Sequence, residues 1–129
     1  MEPNFAGATL TEEADCELVT FVEVANFRSA TFKEEANFAG AIFKEKADFA
    51  GATFTKGADF RHATFTKAAD FAGATFKEEA DCAGATFESL ANFVNSEMKS
   101  QTQFDGASFQ RIPPLFDETK LHEGTTWFG

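Results

Sequence analysis

Residues 47–76 read ADFAGATFTKGADFRHATFTKAADFAGATF, in which Phe49, Phe54, Phe60, Phe65, Phe71 and Phe76 fall alternately five and six residues apart. An α-helix does not satisfy that spacing. At roughly 100° per residue, centres five apart lie about 140° around the axis, so the rings would leave on separated sides with no single apolar stripe. A strand does. Ala, a polar residue and Phe succeed one another in each unit, which is the in, out, in alternation of a short strand. Phe and Thr favour extended backbone, and the Gly that recurs two residues after a Phe marks a turn.

On either side of this stretch the pattern continues, from Pro3 to about Gln110 with a period of 11, in the form A-[DN]-F-A-G-A-T-F-K-E-E. Of its 20 unit centres 16 are Phe, the exceptions being Leu10, Cys16, Cys82 and Met98, and 16 are preceded two residues earlier by Ala. A short strand with a corner every five or six residues must coil, and stacked coils bury what no single coil can. Two units per turn leave little interior. Four give about 22 residues per coil and a square section with four large residues and four small ones inside.

This recurring motif resembles that of the pentapeptide-repeat proteins, A-[DN]-[LF]-x-x. The resemblance covers residues 3–110 and implies an all-β, right-handed quadrilateral β-helix with the centre and the Ala turned inward. One extra residue after every second unit departs from the plain pattern and reads as two longer corners per coil. Adding 22 repeatedly then assigns four columns. Phe5, Phe27, Phe49, Phe71 and Phe93 form the first, and Leu10, Phe32, Phe54, Phe76 and Met98 the second. Cys16, Phe38, Phe60, Cys82 and Phe104 form the third, and Phe21, Phe43, Phe65, Phe87 and Phe109 the fourth. Rungs are expected about 4.8 Å apart. Cys16 and Cys82 are then three coils, roughly 14 Å, from one another, too far for a disulfide; both are expected as buried free thiols.

The sequence divides into residues 1–110, five regular coils, and residues 111–129, an irregular cap continuing as a partial sixth coil. After Phe109 the next large centre comes seven residues on, at Phe116, and Leu121 and Trp127 resume the spacing. Pro113 and Pro114 lack backbone donors and discourage strand addition there. No cap is visible at the other end. Phe5, Leu10 and Cys16 form a poorly covered floor, so the expectation is pairing of the chain with itself through this coil, or membership of a longer protein.

With 21 acidic against 11 basic residues the formal charge is −10 and the pI about 4.5. That excludes direct nucleic-acid or acidic-membrane binding by phosphate neutralisation. No basic segment followed by an apolar run and no membrane-length window occurs, and two Cys suit a reducing compartment, so cytoplasmic residence is expected.

Chemistry is not declared. His62 and His122 lie in unrelated places, no Cys-His or Ser-His pair with an orienting acid is present, and neither a phosphate loop nor metal-ligand spacing occurs. No catalytic residue, metal or cofactor is expected, and the chain is read as a non-enzyme. The Asn or Asp before centres of the first and third columns suits the turns beside them; Asp48 and Asp70 as a shared cation site lack further ligands. Arg61 and His62 replace Ala and Gly at one corner, a permissive substitution. Thr9, Thr31, Thr53 and Thr75, and Thr20, Thr64 and Thr86 interrupted by Ile42, are solvated strand surface, with ice binding a distant alternative.

The residues remaining for a partner are acidic: Asp48, Asp70, Asp59, Asp81, Glu34, Glu35, Glu78 and Glu79. The expected function is a rigid acidic solenoid presenting faces to a protein partner. The resemblance implies an alternative, DNA mimicry against a type II topoisomerase such as gyrase. Against it stand a rod of only about 25 to 30 Å and the Lys residues that interrupt the negative stripe.

Overall fold

The computed structural model describes residues 4–127. Pro3, where the repeat begins in the sequence, and the outermost residues of both predicted segments, 1–3 and 128–129, lie outside the described residues. Among the described residues, nineteen two-residue strands follow one another from Thr9–Leu10 to Ser108–Phe109, with no helix. Each strand is one repeat unit. Its two residues are the outward polar position and a neighbour inside, because five or six residues leave room for no more before the next corner.

Each strand up to Thr86–Phe87 pairs in parallel with the one 22 positions on, as in Thr53 with Thr75 and Phe54 with Phe76. Three five-stranded sheets and one four-stranded sheet result, and they are the four sides of a β-solenoid of about five turns. Strands two residues long cannot stand alone; each is held by the coil on either side. On the first and third sides the N–H points to the following coil, as Phe49 to the Asp70 carbonyl at 2.7 Å. On the other two it points back, as Thr53 to the Ala30 carbonyl at 2.9 Å. The peptide dipoles therefore oppose one another around the coil.

Two kinds of corner alternate. After the first and third columns the centre's carbonyl accepts the N–H three residues on, Phe49 from Ala52 at 3.0 Å, across Gly51 at φ 69°. That is a type II turn, with its left-handed residue third of four. The longer corners after the second and fourth columns have no such residue and carry the charged tripeptides.

Inside, rings pile face to face. In the first column Phe27, Phe49, Phe71 and Phe93 follow at 5.0–5.1 Å with interplanar angles of 2–4°. In the second, Phe32, Phe54 and Phe76 repeat at 4.8 Å and 1°. Phe38 lies 5.2 Å from Phe60 in the third, and Phe43, Phe65 and Phe87 repeat at 4.8 Å in the fourth. Ala at the preceding inward position leaves the space these rings need; Ala47, Ala52, Ala63 and Ala69 are wholly buried.

The ends differ from the middle. Phe5 remains 39% exposed although its ring stacks on Phe27 at 5.1 Å, and Phe109 is half-buried. Cys82 is a buried free thiol, but Cys16 is only half-buried. The expectation of two buried thiols is thus corrected: Cys16 sits in the first coil, where no described rung lies beneath it. At the other end the sixth coil continues the stack with its register shifted by one. Asn92 bridges Leu115, Glu97 bridges Lys120 and Gln103 bridges Thr126, each 23 positions on. The extra residue is taken up between Gln110 and Pro114, after which Phe116 stacks on Phe93 at 5.1 Å and Trp127 on Phe104 at 4.8 Å.

Candidate functional site

The polar residue before each centre of the first and third columns has a local task. Oδ1 of Asn4, Asp15, Asn26, Asn37, Asp48, Asp59, Asp70, Asp81 and Asn92 accepts the backbone N–H two residues on, at 2.9–3.2 Å. These Asx turns lead the chain out of the strand into the type II turn. One carboxylate oxygen of each Asp thereby serves the fold, and Oδ2 carries the ion pairs described below.

The eight acidic residues do not form one surface. Asp48 and Asp70 lie on the first side of the solenoid, where cations meet them. Asp48 Oδ2 is 3.5 Å from Arg28 and 3.9 Å from Lys46, and Lys46 reaches Asp70 at 4.0 Å; Asp48 is itself buried. Glu34, Glu35, Glu78 and Glu79 occupy the long corner between the second and third columns, which also adjoins Asp59 and Asp81. Because the coil repeats every 22 residues, Glu34 and Glu35 stand two coils from Glu78 and Glu79 on the same edge, with Lys56 and Gly57 between. Glu35, Asp59, Glu78, Glu79 and Asp81 line one open hollow with Gly57 as part of its wall. The Glu35 side chain lies over Gly57, whose missing Cβ would come 2.6 Å from Oε2.

Arg61 closes one side of this hollow. Its guanidinium donates to Asp59 from Nε, to Oδ1 at 3.0 Å and Oδ2 at 3.2 Å, and from NH2, to Oδ2 at 2.7 Å, and lies 3.8 Å from Asp81. Partial burial works against the Asp59 charge, but the bonds from the Arg61 side chain and N–H outweigh it and hold the carboxyl below the ordinary carboxylate range. His62, next to it, takes the left-handed turn position at φ 59° and lies over Gly84. Arg61 therefore tempers the acidic edge at Asp59 and Asp81, on two successive coils.

The Cys82 thiol is pushed far up by burial and then by Asp81 and Asp59, so it is not a nucleophile. The Cys16 thiol is raised as well, by burial and by Asp15. Among the described residues no cluster of His, Cys, Asp and Glu could hold a metal ion, and no helix is long and apolar enough to cross a membrane. The Thr ranks run single file, broken by Ile42 in one and ended by Glu97 in the other. What the sequence missed was the role of residues such as Leu18, Ser29, His62, Asn95 and Glu118, which all stand at the left-handed position otherwise held by Gly; their constant offset of two from a column centre was the available signal.

A family model for pentapeptide repeats, nine copies long, matches the chain over residues 5–53, 17–64 and 49–97. No curated protein and no solved structure matches it. The matched stretches join into one span covering more than half of the 129 residues, over which the Asx turns recur every 11 residues beside the Ala positions and Phe columns, and the chain belongs to the pentapeptide-repeat family.

Proposed function

We propose that the protein is a non-enzymatic interaction scaffold whose acidic edge docks a basic surface of another protein. The observation that carries this reading is the excess of carboxylates at one edge: Glu35, Asp59, Glu78, Glu79 and Asp81 line one hollow in which Arg61 is the cation, and Glu34 stands on the same edge, whereas Asp48 and Asp70 across the solenoid are met by Arg28 and Lys46. A fixed array in which carboxylates outnumber cations steers a basic partner and sets its register, and the ladder beneath keeps the array from rearranging. Binding then costs little ordering entropy.

Paired capture tests it. Wild-type chain, the edge variant Glu34→Gln/Glu35→Gln/Glu78→Gln/Glu79→Gln and the opposite-side variant Asp48→Asn/Asp70→Asn serve as baits under one salt condition. A partner kept by the wild type and the opposite-side variant but lost from the edge variant supports the reading; a partner set indifferent to all four Glu overturns it. The second reading, occupation of the DNA groove of a type II topoisomerase, draws on the same edge, since a rigid solenoid with an excess of carboxylates along one edge shares the sign of a phosphate backbone. A gyrase supercoiling assay decides it: inhibition by the wild type and none by the edge variant is the expected pattern, and no inhibition by either removes the reading.

A further inference from the structure

The first coil carries a second surface. Phe5, Leu18, Val19 and Val22 are all exposed there, while between residues 23 and 111 Ile42 is alone among the large hydrophobics in being so. At the end of the solenoid Phe5, Leu10, Ala14, Cys16, Val19 and Phe21 line an open recess of about 430 Å³. Its walls are wholly apolar, because these are column residues that would each carry another rung. An exposed apolar concavity of this kind marks a binding surface.

Its rim has one sign. Glu12, Glu13 and Asp15 are exposed beside it, no Lys or Arg precedes Arg28 in the sequence, and Glu17 lines a separate hollow with Arg61. Glu12 and Glu13 line a neighbouring hollow that shares Leu10 and Ala14 with the recess, so charge and apolar floor are contiguous. Two copies meeting end to end would press these carboxylates against their own counterparts, a like-charge juxtaposition that disfavours self-pairing. The rim suits the opposite sign.

We propose that this end is a docking site for an apolar protein segment flanked by Lys or Arg. The apolar side chains cap the columns of Phe5, Leu10, Cys16 and Phe21, and the flanking cations meet Glu12, Glu13 and Asp15. For the sign of the partner's charge this rests on the same principle as the acidic edge, but the two surfaces are separate and fail separately.

Cys16 provides the readout, since it lies in the recess while Cys82 is buried and labels only on unfolding. The probe is a short peptide of alternating Leu and Lys, with Leu/Glu and Ser/Lys peptides as comparisons. Cys16 of the free chain is expected to react with a small thiol reagent, and the Leu/Lys peptide to slow that reaction saturably. Its affinity should fall about tenfold or more on going from low to high salt, where the Debye length shortens to about 3 Å. Glu12→Gln/Glu13→Gln/Asp15→Asn, which keeps the Asx acceptor and the floor, should weaken the peptide about tenfold, and Val19→Ser should weaken it at every salt concentration. Glu78→Gln/Glu79→Gln should leave it unchanged, so that failure of the edge and failure of the end read differently. Equal protection by the Leu/Glu or Ser/Lys peptide overturns the proposal. So does a Cys16 already protected in the free monomer, where the chain's own residues cover the floor, or one protected only in a concentration-dependent dimer, where a second copy does.

Discussion

At the corner after each first- and third-column centre, one residue takes a backbone conformation that glycine adopts freely and other residues adopt at a cost of about 1–2 kcal/mol. Gly73 sits there at φ 69° with its nearest neighbour 4.0 Å from where a Cβ would lie, so strain and not crowding sets the cost of adding a side chain. Gly73→Ala is expected to lower stability by about 1–2 kcal/mol and Ser29→Gly, at φ 59°, to raise it by about as much, both read from urea unfolding. Gly57→Ala is the contrast: its φ is ordinary and the only close group is the flexible Glu35 carboxylate, so it should be nearly neutral. The Asp59 and Arg61 pair makes a prediction in pH. Because the folded carboxyl is held below its ordinary range, its contribution is complete above that range and lost as pH falls through the folded value. Arg61→Gln should move the Asp59 titration upward, seen by carboxyl NMR, and remove that part of the acid dependence; an unmoved Asp59 would mean that the guanidinium is screened out. The turn at Gly73 was legible in the recurring Gly, but the Asp59 and Arg61 pair was not. That Arg61 and His62 replace Ala and Gly reads in sequence as a tolerated corner, and only φ and the reach to Asp59 reveal His62 as a strained turn residue and Arg61 as a clamp.

A single strand here has two residues and no stability of its own; the element that matters is the column. Phe54 lies between Phe32 and Phe76, 4.8 Å from each and fully buried, so Phe54→Ala leaves a gap that the rungs above and below, held by their own ladders, cannot close. The expected cost is about 3–5 kcal/mol in chemical denaturation. Phe5→Ala, at a half-exposed end with one stacking partner, should cost less than about 2 kcal/mol; equal costs would show that the stack gives no cooperative support. The columns were legible in sequence because the period needs only arithmetic: once Phe49 and Phe71 are 22 apart, every other rung is assigned. The sixth coil was legible in outline and not in register. Two prolines and a seven-residue gap say that the pattern slips, but whether the extra residue twists the stack or bulges from a corner depends on whether Phe116 finds Phe93, which it does at 5.1 Å. The acidic edge was half-legible for a like reason. The sequence places Asp48 and Asp59 on opposite sides, but not the Arg28 and Lys46 side chains that meet one of them.

For the molecule as a whole the decisive quantity is where its charge of −10 sits. Folding brings Glu35, Glu78 and Glu79 with Asp59 and Asp81 around one hollow and sets Glu34 on the same edge, whereas an unfolded chain spreads residues 34 and 79 far apart. The folded state therefore carries a repulsion that the unfolded state relieves, and salt should weaken it as the Debye length drops from about 30 Å at 0.01 M to about 3 Å at 1 M. Stability is expected to rise with NaCl over that range by on the order of 1 kcal/mol, a sum of several exposed pairs each worth a few tenths. Salt also strengthens apolar burial in general, so the slope alone does not identify the edge. The comparison with Glu34→Gln/Glu35→Gln/Glu78→Gln/Glu79→Gln does, since that variant keeps every column and loses the repulsion. It should start more stable at low salt and show a flatter slope in thermal and urea unfolding, whereas Asp48→Asn/Asp70→Asn, which removes carboxylates already met by Arg28 and Lys46, should not flatten it. Parallel slopes in wild type and edge variant would mean that the edge carboxylates are too well solvated to repel, and would take with them the steering on which a basic partner depends.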